Sequence, residues 1–187
     1  GLLQGIKKNT GGGNIPWINS GKVNDLRIID ESEFITELGL KKSSTKMMPK
    51  KTTVLAITGA TLGQVSLTEM EVCANQSVVG IYDTDNVCSE YIYLKINEMI
   101  KDIIAKAGGG AQQHINKDIV CETQVILPSD KVIMKFTQII QPIFNEISNL
   151  LFKNKNLAAT RDLLLPKLIS GELDVSELDI DVSGVEV

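Results

Sequence analysis

A heptad seam near the C-terminal end of the sequence narrows the possible folds more than any other stretch. Ile133, Phe136, Ile140, Ile143, Ile147, Leu150, Asn154, Leu157, Arg161 and Leu164 follow one another at alternating three- and four-residue steps, which keeps them on one side of an α-helix. Ser129 stands at an N-cap position directly after Pro128, and Pro166 supplies a stop, so the spacing predicts one helix over 129–165. At 1.5 Å per residue it would be roughly 55 Å long, more than a small domain needs to cover its own core. Eight of the ten seam residues are apolar, and burying each fully is worth roughly 1.5 to 3 kcal/mol. A partner helix would supply that cover. Asn154 and Arg161, polar at seam positions, would then fix register and partner number at some cost in stability. The helix can instead lie on its own domain, and Ile139, Phe144, Leu151 and Ala158 widen the stripe for that arrangement. Pro142, on the outer side, is expected to bend it.

The 187 residues, 43% hydrophobic and 22% charged, suffice for one sizeable core besides this helix. The sequence contains no apolar run of 18 residues and opens Gly1-Leu2-Leu3-Gln4, so neither a membrane span nor a signal peptide is expected. The opening without Met points to a trimmed chain or a fragment. Cys73, Cys88 and Cys121 lack the paired spacing of a zinc or redox motif, and their odd, scattered count fits a reducing cytoplasm. A net charge of −4 argues at first against nucleic acid. Six of the acids, however, crowd between Glu172 and Glu186; setting them aside leaves 19 basic residues against 17 acidic. Lys41, Lys42, Lys46, Lys50 and Lys51 form the one basic cluster, either a solvated loop or an edge that meets phosphates.

Residues 1–39 are turn-rich. Gly11-Gly12-Gly13 precedes no Lys-Ser/Thr helix start and is therefore not a nucleotide loop. Trp17, between Pro16 and Ile18, is expected in the core. Three or four strands of a mainly antiparallel sheet are expected between Thr52 and Tyr82, including Val54 to Thr58, Gln64 to Leu67 and Ser77 to Tyr82. Gly59 and Gly63 flank a tight turn that needs positive φ, with Thr58, Thr61 and Gln64 around it. Ser89 to Ala107 has helical spacing, and Thr123 to Leu127 is expected to be a short strand. Between them lies a polar loop with Gln112, Gln113, His114, Asn116 and Lys117. Its amides could pair with adenine edges and its lysine with guanine or phosphate, or the loop could simply face water. His114, the only histidine, has no second ligand at metal spacing.

In order, the chain carries Ile15-Pro16-Trp17-Ile18 with Ser20-Gly21, Ile35-Thr36-Glu37 with Gly39-Leu40, Ser43-Ser44, Thr58-Gly59-Ala60-Thr61, Asn75-Gln76, Gly110-Ala111-Gln112, Pro128, and Arg161-Asp162 before Leu164-Leu165-Pro166-Lys167-Leu168. In that order and spacing these residues resemble the specificity (S) subunit of type I restriction-modification systems, specifically one of its two repeats. The resemblance implies a non-catalytic DNA reader without a cofactor of its own. Two recognition domains each contact half of a split target, two long helices pair antiparallel as a spacer, and the helices help dock methyltransferase subunits. The methyltransferase subunits bind S-adenosylmethionine themselves, and ATP and Mg would also belong to partner subunits. This chain has one repeat, so it would pair with a copy of itself or form part of a two-repeat subunit.

The expected fold class is α+β: a target recognition domain over 1–128, a coiled-coil-forming helix over 129–165, and a short segment with an acidic mobile tail over 166–187. Candidate DNA contacts are Lys41, Lys42, Ser43, Ser44, Lys46, Thr61, Gln64, Gln112, Gln113, His114, Asn116 and Lys117. Two further readings stay open: a coiled-coil interaction protein whose head binds a ligand other than DNA, and a hydrolase using Cys121 or Cys73 with His114.

Overall fold

The computed structural model describes residues 13–83, 89–107 and 114–176. Strand β3 (Thr53–Ala56) is buried at all four positions because a different core covers each face. Side chains alternate across a strand, so Val54 and Ala56 meet Ile18, Ile28 and Val72, while Leu55, with Ile57 just beyond the strand, meets Ile96, Ile103 and Ile115. A strand dry on both faces reads as an unbroken apolar run, as Val54 to Ile57 does.

β3 is the middle of a fully antiparallel sheet, between β4 (Val65–Leu67) and β6 (Val78–Ile81), with Thr53 opposite both Leu67 and Ile81. This is the expected sheet. A second three-stranded sheet comes largely from the stretch read as turns: β1 (Ile15–Ile18) lies between β2 (Glu33–Ile35), antiparallel, and β5 (Cys73–Ala74), parallel. Trp17, expected in the core, is only half-buried, and Thr123 to Leu127 forms no strand.

Four α-helices complete the described residues: α1 (Glu37–Lys42), α2 (Ser89–Lys106), α3 (Lys117–Glu122) and α4 (Asp130–Ile169). α2 lies close to its expected limits and lays Ile96 and Ile103 on the β3 side. α4 begins as expected: the Ser129 carbonyl accepts from the amides of Val132 and Ile133 at 2.8 and 3.0 Å. It passes through Pro142 and, unlike the expected stop, through Pro166. One missing donor is tolerable so near a helix end, and the Pro166 carbonyl still accepts from Ser170 at 3.0 Å. The helix ends instead at Gly171, whose φ of +72° suits glycine, with Leu173 N–H donating back to Lys167. None of the described helices is long and apolar enough to cross a membrane. The chain divides into two compact units after Ser148, within α4.

Gly59 and Gly63 adopt the anticipated positive φ, +74° and +83°. A Cβ on Gly63 would also lie 2.5 Å from Cδ1 of Ile104 on α2. Replacing Gly63 by Ala is therefore expected to cost about 1 to 3 kcal/mol, from backbone strain and overpacking together. Urea unfolding checks this, and an unchanged midpoint would show that α2 yields freely there.

Candidate nucleic-acid interface

The described candidate contacts lie on three segments; backbone hydrogen bonds tie two of them to the end of β3, and a side-chain hydroxyl ties the third to β5. Ile57 is the hub: its N–H donates to the Ser77 carbonyl and its own carbonyl accepts from Ile115 N–H, both at 2.9 Å. This places the His114 to Lys117 segment beside the Gly59 to Gln64 turn. That turn closes through Gly63 N–H to Ala56 O at 2.9 Å and Gln64 N–H to Thr61 O at 3.0 Å. The third segment follows α1 and is pinned by Thr45, whose hydroxyl donates to the Ala74 carbonyl at 2.7 Å and accepts from the Ala74 amide at 3.3 Å. Ala74 and Ser77 are three residues apart, so the two pins lie within about 11 Å.

Side chains on this end differ in what they have left to offer. α1 is capped by Thr36, whose hydroxyl accepts from Gly39 N–H at 3.0 Å, and its last turn presents Lys41 and Lys42 to solvent. Cations there also complement the helix C-terminus. Lys46, Ser44, Gln64, His114 and Lys117 are exposed too. Ser43 is half-buried and donates to the Leu40 carbonyl, and the Thr61 hydroxyl turns back toward the Thr58 carbonyl at 3.5 Å. Asn116, expected to read bases, caps α3: its Oδ1 accepts from Asp118 N–H at 3.2 Å and its amide donates to the Asp118 carboxylate. Gln112 and Gln113 lie outside the described residues, as do Gly11, Gly12, Cys88 and the tail from Glu177.

The family model "Type I restriction modification DNA specificity domain" matches residues 4–157. The chain belongs to this family. Among curated relatives of this specificity domain, the HindI specificity subunit of Haemophilus influenzae is 29% identical over 168 residues, 87% of this chain and 36% of the relative. The MjaIX specificity subunit of Methanocaldococcus jannaschii is 28% identical over 191 residues, 94% of this chain and 44% of the relative. The chain thus spans well under half the length of these curated relatives. A type I S subunit from M. genitalium, known from its crystal structure, shares the fold with a TM-score of 0.51 at 20% identity, over 88% of this chain and 40% of that one.

The basic run of the specificity domain divides by role. Lys51 donates to Oε1 of Glu69 at 2.8 Å, Lys50 lies 3.5 Å from Oε2, and Glu90 lies 4.0 Å from Lys51. Those two lysines face buried acids, whereas Lys41, Lys42 and Lys46 have no acidic partner among the described residues. Arg27, 3% exposed, donates to the Leu26 carbonyl, and its guanidinium lies between the Tyr93 and Phe144 rings. No sequence signal marks Arg27, Glu69 or Glu90 as buried.

The helix seam also divides. Ile133 is buried and Phe136, Ile140 and Ile147 are half-buried on the head, Phe136 edge-on to Tyr91 at 5.8 Å between centroids. Phe144, one of the widening residues, is buried, but Ile139 stays 68% exposed. Ile143, Leu150, Leu157 and Leu164 keep an exposed apolar line, and Asn154 and Arg161 are exposed beside it.

Of the two described cysteines, Cys73 is buried and donates to the Pro16 carbonyl at 3.2 Å. Burial pushes its thiol above the ordinary range, only partly offset by a hydrogen bond with Thr45. Cys121 is exposed. Thiol labelling of the native chain followed by mass spectrometry is expected to modify Cys121 readily and Cys73 only after denaturation; equal labelling would contradict this account of the core.

Proposed function

We propose that this specificity domain is a non-catalytic reader of duplex DNA in the cytoplasm, recognising one half of a bipartite target for a type I restriction-modification complex. The family match across residues 4–157 carries the reading. Lys41, Lys42 and Lys46 would set the head on the backbone, and Gln64, His114 and Lys117, with Gln112 and Gln113, would reach base edges. Methyltransferase subunits would dock on the assembly and bring S-adenosylmethionine with them, and any ATP and Mg would likewise belong to partner subunits. α4 would pair antiparallel with a second copy or a second repeat through its exposed line, Ile143, Leu150, Leu157 and Leu164. In the hydrolase reading, Cys73, one of its two candidate nucleophiles, is buried with a raised pKa.

Two measurements test this. Each lysine that neutralises a phosphate contributes about 0.9 to the slope of log affinity against log salt, so replacing Lys41, Lys42 and Lys46 together by Gln is expected to flatten that slope by about 2 to 3 for duplex DNA. A slope identical to that of the unaltered chain would remove these lysines from the interface. For the helix, Ile143→Asp with Leu157→Asp is expected to give monomers in analytical ultracentrifugation, whereas Ile140 and Ile147 face the head and report on its stability instead. An oligomer that survives the Ile143 and Leu157 changes rules out pairing through this line.

A further inference from the structure

Apolar contact alone would leave α4 able to roll or slide on the head. Burial stabilises in proportion to area and has no direction, and Ile133, Ile140 and Ile147 would bury similar area after a small rotation. Two other contacts do have direction. The Ser148 hydroxyl donates to Oε1 of Glu69 at 2.6 Å, the same oxygen that accepts from Lys51. One turn earlier, Arg27 stands 4.5 Å from the Tyr93 centroid and 4.6 Å from that of Phe144, and the two rings meet edge-on at 5.9 Å. Phe144 and Ser148 are four residues apart on one face. A slide of one turn, about 5.4 Å, or a roll by one residue breaks both contacts at once.

Neither contact is built for stability. Nε of Arg27 is buried without a hydrogen-bond partner, and Lys51 is held at a φ of +68°, a strained conformation for a residue with a side chain. Buried charged groups are commonly no more stabilising than apolar replacements of similar size; what they can contribute is a single arrangement.

We propose that Arg27 and Glu69 are positioning residues that lock the rotation and axial register of α4 over residues 130–148 on the head, so that the reading segments stand at one fixed angle and distance from that part of the helix. The purpose of this clamp rests on the DNA-reading proposal above; its test does not. Nitroxide labels at Glu37→Cys on α1 and Glu146→Cys on α4, in a Cys88→Ser, Cys121→Ser chain that keeps the buried Cys73, report the geometry by pulsed electron paramagnetic resonance without DNA. Diluted into an excess of unlabelled chain, so that labels on paired copies do not contribute, the parent chain is expected to give one narrow distance distribution. Ser148→Ala, which removes a single hydroxyl, and Arg27→Met, which keeps an apolar stem between the rings, are each expected to broaden it at least twofold or split it, with helical circular dichroism retained. Arg27→Lys, which keeps the charge but loses the guanidinium that reaches both rings, is expected to behave as Arg27→Met does. An unchanged distribution in Ser148→Ala and Arg27→Met overturns the proposal. So does lowered stability with unchanged distances, the signature of a merely structural role. Because no DNA is present, the distances decide the clamp whether or not the chain reads DNA.

Discussion

Strand β3 is the wall between two cores, and the candidate interface inherits its rigidity from that burial. Val54 and Ala56 are fixed by one set of apolar neighbours and Leu55 and Ile57 by another. The strand cannot shift without opening a cavity on one side. Ile57, at its end, spends both backbone groups on holding other segments, Ser77 on one side and Ile115 on the other. Backbone anchors do not depend on the identity of neighbouring side chains. The exposed positions around them, Gln64, His114 and Lys117, can therefore change without disturbing the support beneath.

The long helix shows how one sequence stripe can serve two surfaces. A seam with strict three- and four-residue steps averages 3.5 residues per turn, whereas a straight α-helix needs 3.6 and drifts about 20° per heptad. The residues that meet the head, Ile133, Ile140, Phe144 and Ser148, advance at steps of seven, four and four. Ile143, Leu150, Leu157 and Leu164 advance at sevens and stay exposed. The two lines run side by side because neighbours such as Ile143 and Phe144 are about 100° apart around the axis. Self-packing uses one edge of the apolar face, and the proposed pairing would use the other, so the two arrangements that the sequence presents as alternatives are compatible.

What could be read beforehand follows from locality. α2, α4 and the β3, β4 and β6 strands announce themselves by period and by the glycine turn, because each pattern is written within a few consecutive residues. β1 and β5 do not: Trp17 pairs with Cys73 across more than fifty positions, and a two-residue strand has no period to detect. Burial of charge is equally silent, so Lys50 and Lys51 resembled Lys41 and Lys42 until Glu69 was seen between them and Ser148. The cap at Asn116 was also legible. Asn followed by Lys, Asp and an apolar pair is a helix-start pattern, and the amide caps α3.

The placement of charge makes an acidic chain compatible with the proposed nucleic-acid partner. Lys22 is held by Asp25 and Asp30: burial alone would lower its pKa, but the hydrogen bonds to the two carboxylates outweigh that and raise it. Lys50, Lys51, Lys95 and Lys167 likewise face acids. These pairs cancel locally and project little field. Lys41, Lys42 and Lys46, exposed on one short segment, remain without an acidic partner among the described residues. Three lysines give only a modest electrostatic hold, and screening shortens its reach to about 8 Å at physiological salt. A single head on the proposed reading is therefore a weak binder. Joining two heads through their helices makes the second contact intramolecular, which raises affinity by orders of magnitude only when the linkage holds the right span. That requirement falls on the fit of α4 against its own head, because a loose joint would spread the second head over many positions and lower its effective concentration at the target.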